Sequence, residues 1–138
     1  MPRVTVPAFQ NRKRENPLEK DLYRLRCDDA TLGQTSTHKP QLRLSLSIVD
    51  GNEQPDGSDP LGRTLADFLL LDFSASSQKG SEFLERKLDE AFLAFGVEFD
   101  EEGSFDPDDF IGKEAVGLVG TTEDNWGFPQ SSVKRYKV

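Results

Sequence analysis

The clearest periodicity in the chain lies in residues 41–49. Leu42, Leu44, Leu46 and Ile48 alternate with Arg43, Ser45 and Ser47, the period-two pattern of a strand with one buried face. The same alternation runs through Lys20–Cys27, where Tyr23, Leu25 and Cys27 face away from Arg24 and Arg26. Between the two, Asp28 to Pro40 is rich in Asp, Thr, Ser and Gly and predicts a loop. Asp50-Gly51 opens a long turn through Gly57, Asp59 and Pro60. A third strand is expected over Arg63–Phe73. Its alternation is weaker, with Leu65, Leu69, Leu71 and Phe73 set against Phe68 and Leu70. Ser74 to Gly80 reads as a loop.

The spacing then becomes helical. Leu84, Leu88, Phe92 and Phe95 recur at i, i+4, i+8 and i+11 with Ala91 beside them, one apolar stripe over Ser81–Phe95. Ser81 is the expected N-cap, Glu82 suits the positive end of the dipole, and Gly96 suits the residue past the end. Residues 97–110 form an acidic loop. A fourth strand is expected over Glu114–Thr121, then a turn-rich loop Thr122–Gln130, then a fifth strand Ser131–Val138. Three strands, a helix and two strands predict a mainly β domain over residues 20–138, a five-stranded OB-fold barrel of order β-β-β-α-β-β. Residues 1–19 carry Pro2, Pro7 and Pro17 around the cluster Arg12-Lys13-Arg14 and read as a flexible basic arm.

Composition narrows the class. A length of 138 residues suits one domain. Cys27 is the sole cysteine, so no intramolecular disulfide forms, and a single thiol fits a reducing cytosol. Phe68 to Leu71 is an apolar run of only four residues, and no run approaches the roughly 18 a membrane span needs. The N-terminus lacks the apolar segment of a signal peptide. No membrane partner is expected.

Charge changes the picture more. A net −8 argues against nucleic acid until it is resolved by position. Residues 1–48 balance at +4, residues 49–130 at −15 and residues 131–138 at +3. In the expected barrel the fifth strand returns near the first. Arg24, Arg26 and Arg43 then lie close to Lys134, Arg135 and Lys137, as one basic region able to neutralise phosphates. Trp126 and Phe128, between the fourth and fifth strands, and Tyr136, within the fifth, are candidates for base stacking. In the first loop, Lys39 and His38 either reach phosphate or are solvated, and solvation is favoured for His38.

Other chemistry finds no foothold. One Cys and one His cannot build a zinc site. Neither a phosphate-binding glycine loop nor a nucleophile elbow occurs. The acids Asp100, Glu101, Glu102, Asp106, Asp108 and Asp109 lack EF-hand spacing and read as a solvated loop. No cofactor, metal or catalytic residue is nominated, and an enzyme is not expected.

Six segments resemble a family of small phage-encoded proteins found beside recombination and replication genes. They are LYRLRCDDATLGQTSTHK (22–39), PQLRLSLSIVDG (40–51), GRTLADFLLLD (62–72), FLERKLDEAFLAFGV (83–97), FDPDDFIGKEAVGLVG (105–120) and SSVKRYKV (131–138). The turn-into-strand pattern DPDDFIGKE and the closing VKRY are the most characteristic. Some members of that family are OB-fold single-stranded DNA-binding proteins. The resemblance implies a sequence-nonspecific single-stranded DNA-binding protein of the infected bacterial cytoplasm. It also implies phage recombinase or replication proteins as further partners. Many such proteins carry an acidic C-terminal tail, whereas this sequence ends in basic residues, leaving 98–109 as the acidic segment. Homo-oligomerisation through strand edges or the helix stays open. The alternative function is a phage structural or protein-interaction module, a virion decoration protein or an acidic DNA mimic.

Overall fold

Each apolar stripe of the sequence finds a partner inside one curled sheet. The computed structural model describes residues 17–35, 37–72, 78–123 and 126–138. Most of the expected arm (1–16) and Phe73 lie outside the described residues. The strands are β1 (Asp21–Gln34), β2 (Pro40–Asp50), β3 (Thr64–Leu70), β4 (Glu114–Glu123) and β5 (Pro129–Tyr136). The helix α1 (Gln78–Phe95) joins β3 to β4, followed by a short 3₁₀ turn, Pro107–Phe110. All neighbouring strands are antiparallel, in the order β3-β2-β1-β4-β5.

Leu42, Leu44, Leu46 and Ile48 of β2 are buried, opposite Leu32, Ala30, Cys27 and Leu25 of β1 in turn. Slipping β2 by one residue would turn all four outward, at about 1.5–3 kcal/mol each. That cost fixes the register. From α1, Ala91, Phe92 and Phe95 reach the core, with Leu88 and Ala94 packed at its margin. Phe110 from the 3₁₀ turn sits among them, 5.2 Å from Phe92 and 5.7 Å from Phe95 between ring centroids. Asp106 caps that turn, its carboxylate accepting from the Asp108 N–H at 2.9 Å. At Gly51 an added Cβ would come within 2.4 Å of Tyr23 Cδ1, so the turn after β2 passes too close to the core for any side chain.

Several expectations need correction. Strand β1 does not stop at Cys27. A bulge between Cys27 and Asp29 shifts the alternation by one, Ala30 becomes the buried residue, and pairing with β2 continues to Gln34 opposite Pro40. The pair Asp28-Asp29 therefore marks a bulge and not a loop. Strand β3 ends at Leu70, and β4 extends to Glu123. Pro129, with no N–H to give, opens β5 at the sheet's edge. The helix begins three residues before Ser81, so Ser81 lies inside its first turn and is not its cap. The fifth strand pairs with β4 and not beside β1, because β4 already occupies that edge of β1.

The two edge strands, β3 and β5, share no backbone hydrogen bond among the described residues. Side chains close the seam instead. Asp67 points inward from β3 and is 4% exposed. Its Oδ2 accepts from the Tyr136 hydroxyl of β5 at 2.6 Å, and its Oδ1 from Lys87 Nζ of α1 at 2.7 Å. The Tyr136 ring packs edge-on against Phe95, 5.4 Å between centroids. On the same side, Arg135 of β5 forms a two-point ion pair with Glu90 of α1. Tyr136→Phe removes one of the two hydrogen bonds to a buried carboxylate. It is expected to lower stability by about 1–3 kcal/mol, read as a lower urea midpoint at unchanged slope.

Candidate nucleic-acid interface

Residues alternate across each strand, so the buried leucines of β2 place Arg43 and Ser45 on the sheet's outer face. Arg43 stands opposite Phe68 of β3 and Thr31 of β1. The Arg43 guanidinium lies 6.0 Å from the centroid of the Phe68 ring, the outer reach of a cation–π contact, and Phe68 is 53% exposed. No carboxylate pairs with Arg43 among the described residues. The sequence reading set Phe68 on the face opposite Leu65 and Leu69 but did not count it among the site residues. The signal was present: with Asp67 inward, its neighbour must face out.

The β4–β5 hairpin presents two more aromatic rings. Gly127 sits at φ +79°, in the left-handed region that glycine takes without strain. Trp126 on one side of it is 81% exposed and Phe128 on the other is 47% exposed. The tight turn between β1 and β2 carries Lys39 and also His38, whose φ of 60° is unusual for a residue other than glycine. The Lys39 N–H donates to Thr35 Oγ1 at 3.1 Å, and its carbonyl accepts from the Thr35 N–H at 2.8 Å.

The predicted cations do not form one group. Arg24 lies 4.0 Å from Glu114 of β4, and the Arg26 Nε donates to Asp28 at 2.9 Å. Both pairs are about half exposed. Across the sheet, β4 separates these arginines from β5. Lys134 lays its aliphatic stem over Gly120, where an added Cβ would come within 3.1 Å of Lys134 Cε. Lys137 has an exposed side chain, and its N–H donates to the Val116 carbonyl at 2.8 Å.

Arg135 and Tyr136 belong to the seam. The Glu90 partner of Arg135 is buried, so withdrawing the guanidinium would leave a carboxylate uncompensated in the protein interior. Tyr136 is 3% exposed and cannot offer a face to a base. Burial first, and the neighbouring Asp67 charge second, push its hydroxyl well above the ordinary tyrosine range. The sequence pattern around Tyr136, basic residues on both sides, suggested exposure. The β5 register instead turns it inward opposite Gly117, and its ring packs edge-on against Phe95.

Compared with models of known protein families and with curated proteins, the chain matches none. Among the described residues no helix is long and apolar enough to cross a membrane, and no cluster of His, Cys, Asp or Glu has the arrangement of a metal site.

Two groups titrate in ways the geometry dictates. The hydrogen bond from Arg135 holds the Glu90 carboxyl below its usual range, against the opposing effect of burial. A lowered carboxylate pKa stabilises the fold above the ordinary value, and that contribution is lost as pH falls through the lowered one. Glu90→Gln is therefore expected to be less stable than the parent at neutral pH, with the gap closing in urea melts as pH falls below the ordinary carboxylate range. Cys27 is fully buried, and burial pushes its thiol up to about 11. An aromatic disulfide reagent at pH 8 is expected to leave Cys27 untouched until denaturant is added.

Proposed function

We propose that the curled sheet is an OB-type barrel, open at the seam between β3 and β5, and that the chain binds single-stranded DNA without sequence preference. In this reading it acts in phage DNA replication or recombination, beside phage recombinase or replication proteins. Trp126 carries the proposal. The only tryptophan is 81% exposed at a hairpin tip, where burying it would have stabilised the fold most. Such a ring is suited to stacking on an unpaired base.

The strand order supports the barrel reading. Following the sheet as a ring gives β1-β2-β3-β5-β4, with side chains replacing the ladder at one step. The outer face of β2 and β3 offers Arg43 and Phe68 as a cation and a second stacking surface. Trp126 and Phe128 lie on the β4–β5 loop, and Lys39 on the β1–β2 loop, the two loops that flank the binding face of OB barrels. Arg24 and Arg26 remain available in spite of their carboxylates. Exposed ion pairs contribute about 0–1 kcal/mol, so a phosphate can displace the acid cheaply. Lys134 and Lys137 add charge beyond β4. Arg135 and Tyr136 take no part.

A second reading treats the acidic surface as the working face, as in a decoration protein or a DNA mimic. The carboxylates standing against Arg24, Arg26 and Arg135 favour it.

Titration with oligo(dT) separates the two. Under the DNA reading, Trp126 fluorescence is quenched and affinity falls with salt, with a log–log slope of about −0.7 per neutralised phosphate. With a labelled oligonucleotide, Trp126→Ala is expected to weaken binding by about 1–3 kcal/mol. Arg24→Glu combined with Arg43→Glu abolishes binding, while Tyr136→Phe leaves affinity unchanged. No binding of oligo(dT) at low salt overturns the proposal.

A further inference from the structure

On the far side of α1 from the seam, an apolar groove of about 400 Å³ opens between the helix, the start of β2 and the segment after the helix. Its floor is Leu71, Leu88, Phe92 and Phe105, with Pro40 at one end. The aromatic side chains of the groove pack on one another. Phe92 meets Phe105 edge-on at 4.9 Å and Phe99 edge-on at 5.7 Å between centroids, and Phe105 in turn meets Phe110 at 6.2 Å. Phe99 stands at the lip and is 59% exposed. Such a volume, near the low end of roughly 300–1,000 Å³ for ligand sites, takes one or two anchoring side chains.

Two carboxylates guard the mouth. Glu85 and Asp89 lie one turn apart on α1, a like-charge pair at i,i+4 that weakens a helix by a few tenths of a kcal/mol. Neither has an ion-pair partner among the described residues. The contrast within one helix is informative: Lys87 and Glu90 are both paired. Beyond the lip lie Glu98, Asp100, Glu101 and Glu102, and the whole stretch 98–109 carries no Lys or Arg. An exposed aromatic lip, an apolar floor and an uncompensated pair of acids conflict locally with folding economy. They match a segment of opposite character.

We propose that this groove docks a short basic segment of a partner protein, one that seats an aromatic or aliphatic anchor on the phenylalanine floor and sets Lys or Arg against Glu85 and Asp89. Burial of the anchor supplies affinity, and the flanking cations supply orientation and exclude acidic partners. The site lies away from the Arg43–Phe68 face and does not depend on DNA binding.

The test uses the full chain and a labelled hexapeptide, KRFLKR, followed by fluorescence anisotropy. Saturable binding that weakens with salt is expected, with at least tenfold weaker binding of the charge-swapped peptide EEFLEE. Asp89→Lys and Phe99→Ser are each expected to cost at least tenfold. Both residues are exposed, and unchanged circular dichroism and urea midpoints establish that the variants fold. Glu85→Gln gives a smaller loss in the same direction. Glu101→Lys changes net charge as much as Asp89→Lys but lies outside the groove, and is expected to bind within twofold of the parent. The proposal is overturned by equal losses in Glu101→Lys and Asp89→Lys, which would mean attraction to bulk charge. Equal binding of both peptides overturns it, as does absence of binding at millimolar peptide. So does a groove already filled by a second copy, seen as a dimer that Phe99→Ser dissociates.

Discussion

One carboxylate holds the ends of the sheet together. Asp67 is the inward-facing residue of β3 at a position where the neighbouring inward residues, Leu65 and Leu69, are apolar. A buried charge is costly unless it is paired and hydrogen-bonded, and Asp67 takes one donor from the helix and one from β5. Three elements distant in sequence are thereby fixed to one another at a single point. The requirement works in both directions. The acid demands its partners, and the partners can approach only if α1 lies across the gap and β5 pairs with β4, whose register shifts between Leu118 and Val119. The Glu90–Arg135 pair repeats the logic a turn further along the helix.

That arrangement divides the surface into regions of different chemistry. Tyr136 is buried at the seam, and Arg135, though about half exposed, holds the buried Glu90 carboxylate, so both are structural despite a sequence context that looks like a binding strand. What remains outside sorts into two regions of opposite character. The β2–β3 face and its flanking hairpin offer cations beside exposed rings. The far side of α1 offers acids beside exposed rings. The same aromatic chemistry is thus set in two electrostatic settings, and the sign of the neighbouring charge decides what each can hold.

Much of the fold was legible in the sequence. The leucine alternation of 42–48 and the stripe through Leu88, Phe92 and Phe95 mark β2 and α1 because burial on one face imposes a period on the chain. The sequence placed Trp126 in the turn-rich stretch between the fourth and fifth strands, and the structure shows it exposed there. The misses share a cause: they depend on what lies across the sheet. A bulge at Cys27–Asp29 reads as a break because the period shifts by one. Asp67 reads as polar surface because nothing local reveals Lys87 and Tyr136. The neighbours of β1 depend on a choice between two strands that local pattern does not encode, and the expected gathering of basic ends followed from the wrong choice. Phe68 was set on the face opposite Leu65 and Leu69 but not counted among the site residues, because its place beside Arg43 depends on the pairing of β2 with β3.

The placement of Trp126 also governs how this protein can be observed. Tryptophan emission usually tracks unfolding because the ring leaves a dry core for water. Here the ring is in water from the start, while the core is built from phenylalanine, leucine and two buried tyrosines. Intrinsic fluorescence will therefore be nearly silent to loss of the fold and responsive to whatever touches the hairpin. Near-ultraviolet signals from Tyr23 and Tyr136 are the faithful witnesses of the interior.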